Sequence, residues 1–381
     1  MESAGFASGL TDEQRAIRDV VHEFAVEEVR PTAHEADETE TFPEDVWDGL
    51  AELDLTGLTV PEEYGGFGAD RTTYALVNEE IAYGQLAVAT ALSVHCLATE
   101  CIAEFGSDEQ KEEWLPKMAK GRPVGMFALS EPEAGSNPAE MSTVAEKDGD
   151  EYVINGKKQW ITNGQRGGVC ILFAKTDRDD PRSVTQFLVP KEAGYEVGKK
   201  EEKMGLRASD TTSLIFDDVR IPAENRLTEV GKGLSAAFHI LTGGRIGIAS
   251  QATGLAQAAL DDAVEYANER EQFDKPIAKI QAVRHKIADM GTQVHTARTL
   301  VREAARVADA GEDPRIPASM AKYYASEAAV DVTNEAVQVH GGYGYTTDFD
   351  VERYYRDAKI TTIYEGTSEI QKEIIARSLL D

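Results

Sequence analysis

A glutamate and a glycine, Glu365 and Gly366, stand next to each other near the end of the chain. A carboxylate there could act as a general base, and the glycine would let a ligand or a backbone segment approach closely. Ser368 and Gln371 have capping-box spacing, which predicts a helix start with Ser368 as the N-cap. Burial would raise the pKa of Glu365 and the positive helix end would lower it, so the sequence leaves the direction open.

Motifs that bind nucleotides or metals with a fixed spacing are absent from the sequence. No G-x-G-x-x-G follows a predicted strand, and no G-x-x-x-x-G-K-[ST], H-E-x-x-H or G-x-S-x-G occurs. The seven histidines show no spacing typical of a metal site, so we expect no metal. A nucleotide cofactor would have to be held in another way.

The composition is strongly acidic, with 68 Asp and Glu against 39 Lys and Arg and a formal net charge of −29. Such a charge repels nucleic acids and anionic membranes, so we expect neither as a partner. The acids are spread along the chain, which favours a solvated, halophilic surface over a patch for a cationic partner. Three cysteines without a C-x-x-C pair and no signal-peptide pattern at the N-terminus predict a cytoplasmic protein.

The elements that must position Glu365 are mainly helical. Thr11 and Gln14 predict a capped helix, which Pro31 is expected to end or kink. From about 124 to 230, short β-branched runs predict strands, and Asn163-Gly164 predicts a hairpin turn.

Helical patterns return from about 232. Apolar residues in alternating steps of four and three predict one long bundle helix; they are Val283, Ile287, Met290, Val294, Ala297, Val301, Ala304 and Ala308. Further helices are predicted at about 317–339 and from Ser368. The predicted domains are helical (1–122), a small barrel-like β-domain (123–232) and a helical bundle (233–381), an order that argues against an alternating α/β sheet.

Four segments carry a resemblance when they are taken together and in order. They are 127–136 (FALSEPEAGS), 160–164 (WITNG), 338–345 (QVHGGYGY) and 363–371 (IYEGTSEIQ). With 244–249 (GRIGIA) and 270–273 (REQF), they resemble the acyl-CoA dehydrogenase family from about Leu10 to Leu380, most closely its short-chain and butyryl-CoA members.

The resemblance implies a mixed fold with an α-helical N-terminal domain, a middle β-domain and a C-terminal four-helix bundle. It also implies FAD as the cofactor, a homotetramer, and Glu365 as the base that removes the α-proton of an acyl-CoA. Without the motif, Glu365 is more often a solvated surface residue. Some relatives place the base just before the bundle arginine, where this chain has Gly244 and no acid.

The cofactor contacts implied by the resemblance lie in all four segments. In the middle domain they are Phe127, Leu129, Ser130, Ser136, Trp160 and Thr162, although Trp160 could equally be a core residue. In the bundle they are Arg270, Gln272, Phe273, Gln281, Gln338, Gly341, Gly342, Thr367 and Glu369. Arg270 would reach the FAD of a neighbouring subunit, and Asp274 departs from the usual glycine, so the turn geometry there is open.

Substrate contacts are expected at Ser136, Thr242, Arg245, Tyr364 and Gly366. Arg245 has an alternative as a buried structural ion pair. Residues 81–110 contain no Lys or Arg, which disfavours a dicarboxylic substrate.

We therefore expect FAD-dependent conversion of a short- or medium-chain acyl-CoA to the trans-2-enoyl-CoA, with hydride transfer to flavin N5. The expected electron acceptor is an electron-transferring flavoprotein. An acyl-CoA oxidase and a homologue that binds acyl-CoA or flavin without turnover are the alternatives.

Overall fold

The computed structural model describes residues 9–380. The N-terminal part of the protein is helical. Its six helices are α1 (Asp12–Phe24), α2 (Ala33–Glu38), α3 (Glu44–Glu52), α4 (Arg71–Gly84), α5 (Leu86–Phe105) and α6 (Asp108–Ala119). The capping box at Thr11 and Gln14 is confirmed, with reciprocal hydrogen bonds of 3.1 Å. At Pro31 the chain kinks through a π turn and a 3-10 turn before it enters α2.

Helix α5 is apolar on all sides because it runs through the middle of the molecule. It is the one helix within residues 9–380 that is long and apolar enough to cross a membrane, with a mean hydropathy of 1.6. However, 89% of that window is buried inside the protein, which is the pattern of a core helix.

The middle part forms one seven-stranded sheet. Its strands are β1 (Gly125–Ala128), β2 (Val144–Asp148), β3 (Glu151–Ile161), β4 (Val169–Lys175), β5 (Val184–Pro190), β6 (Glu196–Val197) and β7 (Thr212–Pro222). The order is β1-β4-β2-β3-β7-β6, and β5 pairs with β4. The two strands β1 and β4 run parallel, and β2–β3, β3–β7 and β4–β5 are antiparallel.

The predicted hairpin at Asn163-Gly164 is wrong. The turn joins β3 to β4, and these two strands do not pair with each other. Tertiary contacts hold the turn instead, because the amide of Asn163 donates to the carbonyl oxygens of Ala91 in α5 and Gly125 in β1. The hairpin lies earlier, where Gly149 connects β2 with β3.

The C-terminal part is again helical. Its elements are α7 (Gly233–Glu269), a small hairpin of β8 (Glu271–Gln272) and β9 (Lys275–Pro276), α8 (Gln281–Asp309), α9 (Arg315–His340), α10 (Val351–Thr361) and α11 (Ser368–Leu380). The predicted heptad seam is confirmed in α8, where Met290, Val294, Ala297, Val301 and Ala304 are buried. Helix α9 packs against α7, α8, α10 and α11, and α4 and α5 pack on α7.

The N-terminal and C-terminal helices share one hydrophobic core, the sheet has a core of its own, and a third cluster packs α5 and α6 against β4, β5 and the start of α7. The fold class predicted from the sequence is therefore confirmed. The domain limits at 1–122, 123–232 and 233–381 stay predictions.

Candidate active site

The turn between α10 and α11 carries Glu365 in a left-handed backbone conformation. Its φ is 51° and that of Gly366 is 96°, values that suit glycine and are uncommon for glutamate. Two donors hold this turn, because Lys322 Nζ lies 2.8 Å and Gln371 Nε2 3.0 Å from the carbonyl oxygen of Gly366. A Cβ at position 366 would come within 2.5 Å of Gln371 Nε2, so the turn needs glycine for its conformation and for space.

The cap of α11 differs from the prediction. Thr367 Oγ1 accepts the backbone N–H of Ile370 at 3.3 Å, so Thr367 and not Ser368 is the N-cap. The hydroxyl of Ser368 instead donates to Glu327 on α9 at 2.5 Å, which makes Ser368 the first helical residue. Both contacts fix the turn that carries Glu365.

The carboxylate of Glu365 points into the protein. Its Oε2 atom is buried and has no hydrogen-bond partner among residues 9–380. The atom lies over Gly244 of α7, since a Cβ built on this glycine would be only 2.4 Å from Oε2 and 3.2 Å from Leu97 Cδ2. The side chain at 365 therefore fills the space that a larger residue at 244 would take.

Burial raises the pKa of Glu365 to about 7, which answers the question that the sequence left open. The positive charges of Lys322 and Arg245 oppose the rise, and the negative charge of Glu100 adds to it. Arg245 is only 8% exposed, its Nε atom has no partner among the described residues, and burial lowers its pKa. The structural ion pair considered for Arg245 is not found within residues 9–380.

A buried polar network lies one residue from the base. The hydroxyl of Tyr364 is 3.4 Å from Thr90 Oγ1 and 3.5 Å from Gln251 Oε1. The amide nitrogen of Gln251 donates to Asn78 at 2.8 Å and to the carbonyl oxygen of Ala89 at 3.1 Å. These bonds hold Tyr364 and Gln251 against α5.

The expected substrate residue Thr242 is buried, and its hydroxyl donates to the carbonyl oxygen of Phe238 one turn earlier in α7. Beside it, Gly243 faces Arg71 of α4, which forms a two-pronged ion pair with Glu100 at 2.6 and 3.1 Å. Arg71 lies outside residues 81–110, the range in which the sequence contains no Lys or Arg.

Two neighbouring segments of the middle domain are tied together by a buried ammonium group. Lys158 Nζ donates to the carbonyl oxygen of Leu129 at 3.1 Å and to Glu131 at 2.8 Å, and both charged side chains are almost fully buried. The backbone N–H of Gln159 donates to the carbonyl oxygen of Ser130 at 2.9 Å. The segments that carry Ser130 and Trp160 are therefore adjacent.

Trp160 does not sit in the core of the sheet. It is 60% exposed and has a φ of 63°, which turns its ring away from the sheet at the end of β3. Thr162 is half-buried beyond it, and Phe127 packs on Phe173 with ring centroids 4.8 Å apart. Ser136 lies on an exposed loop. An exposed indole on a rigid strand end is a surface for a flat ring.

The bundle residues Arg270, Gln272, Gly341 and Gly342 line one cavity of about 460 Å³. Next to Gln272 in the chain, Phe273 and Asp274 have φ values of 55° and 59°, so the β8–β9 turn keeps two left-handed residues although Asp replaces glycine. The ring of Phe273 is 84% exposed at the tip of the hairpin.

The remaining expected contacts lie on the surface of the bundle. Gln281 and Gln338 are exposed on α8 and α9, Glu369 is exposed in the first turn of α11, and Thr367 is half-buried. No residue that lines the 460 Å³ cavity comes from the middle domain or from the Glu365 turn.

The sequence did not single out Lys322, Gln251, Thr90 or Arg71. Each lies in a helix whose local pattern is that of an ordinary core or surface segment, so no spacing signal marks it. Their roles depend on neighbours that are distant in the chain. Within residues 9–380, no group of three or more His, Cys, Asp or Glu is arranged to hold a metal ion.

Residues 11–122, 126–219 and 231–380 match the N-terminal, middle and C-terminal domains of acyl-CoA dehydrogenase, respectively. The chain belongs to the acyl-CoA dehydrogenase family.

Three similar proteins cover almost the whole chain. "Acryloyl-CoA reductase (NADH)" from Anaerotignum propionicum is 44% identical over 97% of this chain and 95% of its own length. Butyryl-CoA dehydrogenase from Megasphaera elsdenii has a TM-score of 0.95 at 42% identity, covering 98% and 99% of the two chains. A chain in the structure of the electron transferring flavoprotein of Acidaminococcus fermentans has a TM-score of 0.96 at 41% identity, with the same coverage.

This acyl-CoA dehydrogenase family member is an oxidoreductase, and FAD is its cofactor. The residues present fit that group. The exposed Trp160 ring offers a stacking surface, the peptide group of Ser130 is hydrogen-bonded to that of the neighbouring Gln159, and Arg270 lines a cavity of about 460 Å³. The arginine supplies the fork of donors that a pyrophosphate accepts.

Proposed function

We propose that this enzyme converts a short-chain acyl-CoA to the trans-2-enoyl-CoA, with Glu365 removing the α-proton. One observation carries the proposal: Glu365 presents a buried carboxylate oxygen without a hydrogen-bond partner among residues 9–380. An unpaired, desolvated carboxylate is a much stronger base than a solvated one, and a pKa of about 7 matches proton transfer at neutral pH.

The similarity to a butyryl-CoA dehydrogenase supports a short acyl chain. Arg71 is neutralised by Glu100, so the pair offers no free cation for a dicarboxylic acyl group.

When bound, FAD would supply at N5 the acceptor for the β-hydride and its two electrons, while Glu365 would hold the α-proton. Ser130, Thr162 and backbone groups of 127–136 are proposed to bind the polar edge of the ring, with Trp160 packed beside it. Arg270, Phe273, Gln281, Gln338, Gly341 and Gly342 are proposed to bind the FAD of a neighbouring subunit, which accounts for their place outside the Glu365 turn.

The proposal includes a homotetramer, a cytoplasmic location, an acidic surface of the halophilic type and an electron-transferring flavoprotein as the acceptor. The similarity to a chain in an electron transferring flavoprotein structure supports the acceptor. The reductase among the relatives favours reversibility, because a base with a pKa of about 7 can also return its proton.

Anaerobic titration with butanoyl-, hexanoyl- and octanoyl-CoA, followed by the flavin absorbance, tests the proposal. We expect the greatest bleaching with butanoyl-CoA and at least about a 10²-fold slower reduction in Glu365→Gln, which keeps its FAD. Bleaching of Glu365→Gln at the wild-type rate would exclude this base. A wild-type protein that binds acyl-CoA without bleaching would be a turnover-deficient homologue, and rapid reoxidation by oxygen would favour an oxidase.

A further inference from the structure

Lys322 is a fully buried lysine beside the Glu365 turn. It belongs to α9, and its Nζ atom donates to the carbonyl oxygen of Gly366 at 2.8 Å. Among residues 9–380 no carboxylate forms a salt bridge with it, unlike the other fully buried lysine, Lys158. Burying an ammonium group without a paired acid is costly, so its position requires a compensating role.

The charges around the two groups come from several helices. Lys322 faces Glu365 of the turn, Arg245 of α7, Glu327 of α9 and Glu369 of α11. Burial lowers the pKa of Lys322 to about 8, which leaves the group mostly protonated at neutral pH.

Glu365 in turn faces Lys322, Arg245 and Glu100 of α5, and its charge also acts on Tyr74 of α4 and on its neighbour Tyr364. The two cations are the only groups in this set that favour the ionised base.

We propose that Lys322 is a positioning residue for the base, which anchors the carbonyl group of Gly366 and supplies one of the two positive charges that favour the ionised form of Glu365. This inference rests on the proposed function of Glu365 and assigns the positioning of that base to a residue of α9. Lys322 acts through the turn and does not touch the substrate.

The geometry gives the lysine two separable effects. Glu365 and Gly366 both have positive φ values, and the hydrogen bonds from Lys322 and Gln371 to one carbonyl oxygen hold that conformation. Without Lys322, only Gln371 would remain, and the carboxylate would lose its fixed place over Gly244. The charge acts separately, because its removal makes ionisation of a buried acid less favourable.

Stopped-flow reduction of the flavin by butanoyl-CoA across pH tests the proposal with Lys322→Met. We expect a rate about 10- to 100-fold lower and an acid limb about one pH unit higher than in the wild type. Lys322→Arg retains a charged donor, so it should keep the position of the acid limb even where its rate falls. The matched control is Lys359→Met, which removes an exposed positive charge from neighbouring α10 and should change neither quantity.

A second readout does not depend on turnover. The infrared band of the protonated carboxyl group of Glu365, taken as the difference from Glu365→Gln in the same background, gives its pKa directly. Its midpoint should rise in Lys322→Met and stay in place in Lys359→Met. Lys322→Gln serves in place of the methionine variant if the latter does not fold.

A wild-type rate, acid limb and infrared midpoint in Lys322→Met would overturn the inference. The same acid-limb shift in Lys322→Arg as in Lys322→Met would also overturn it. If Glu365→Gln itself reduces the flavin normally, the proposed base fails, and that result is distinct because it does not involve Lys322.

Discussion

Two fully buried lysines of this molecule have opposite relations to a nearby carboxylate. In the middle domain, Lys158 binds Glu131 at 2.8 Å. In the bundle, Lys322 binds only the carbonyl oxygen of Gly366 and leaves the Oε2 atom of the neighbouring Glu365 without a hydrogen-bond partner within residues 9–380. Lys158 therefore holds Glu131 in a salt bridge, whereas Lys322 acts on Glu365 only through its charge and through the turn.

The two acids differ in pKa for this reason. Burial alone raises the pKa of a carboxyl group, but the charge and hydrogen bond of Lys158, with further donors from Thr143 and Ser142, lower that of Glu131 to about 2. Burial prevails at Glu365 and raises its pKa to about 7. The carboxylate of Glu131 accepts several hydrogen bonds and has a structural role, whereas Glu365 has a free oxygen that can accept a proton.

The strongest test of this contrast is Lys158→Met. We expect a loss of about 3–5 kcal/mol in the free energy of unfolding, because Glu131 would be left as an unpaired buried charge. The FAD content should fall as well, since Lys158 also holds Leu129. Urea denaturation gives the first quantity, and Lys157→Met, an exposed neighbour, is the control with a change below about 0.5 kcal/mol. A loss below about 1 kcal/mol would contradict the structural role of the pair.

A smaller effect is expected from Gly244→Ala. The added Cβ would meet Glu365 Oε2 at 2.4 Å and displace it, so flavin reduction should slow by about 10²-fold while the fold remains intact. Gly291→Ala on α8 is the control, because the nearest atom to its Cβ lies 4.0 Å away; it should gain about 0.5–1 kcal/mol in stability without a change in rate. An unchanged rate in Gly244→Ala would mean that the base does not lie over this glycine.

The pH dependence should separate the two acids further. Flavin reduction requires ionised Glu365, so its rate should rise with pH through about 7. Because the folded pKa of Glu365 exceeds its ordinary value of 4.5, its ionisation destabilises the fold progressively from about 4.5 to 7. Burial also raises the pKa of Asp357, to about 6, so Glu365→Gln should reduce this slope and leave the contribution of Asp357.

Glu131 acts in the opposite direction, since its folded pKa lies below the ordinary value for a glutamate. Its stabilisation is complete above about 4.5 and is lost as the pH falls towards 2. Thermal unfolding across pH measures both slopes, and Glu131→Gln should flatten only the acidic one. A slope between pH 4.5 and 7 that is unchanged in Glu365→Gln would assign it to other groups.

The smallest expected effect is that of salt on these buried groups. With a net charge of −29, the surface repels itself, so Tm should rise with NaCl concentration as the charges are screened. The buried base is screened much less, and the midpoint of its acid limb should stay within a few tenths of a pH unit. A midpoint of the acid limb that shifted by more than a few tenths of a pH unit over the same salt range would indicate a solvated Glu365.

Patterns between residues close together in the chain were sufficient to predict secondary-structure elements. The Thr11 capping box and the seam of α8 were read correctly because a cap or a buried stripe depends on residues within one or a few turns. The hairpin at Asn163-Gly164 was wrong because β3 pairs with β2 before it and with β7 far along the chain, and not with β4. The cap of α11 was misplaced because Glu327 of a different helix takes the hydroxyl of Ser368.

The sequence by itself determined the fold class, the family, and Glu365 as the base to be tested, because these depend on residue order and on patterns read along the chain. Only the tertiary structure decided that Glu365 lies over Gly244, that its pKa rises, and that Lys322 holds its turn. Desolvation and hydrogen bonding depend on which atoms are close in space, and helices α7, α9 and α11 bring these groups together from distant parts of the chain.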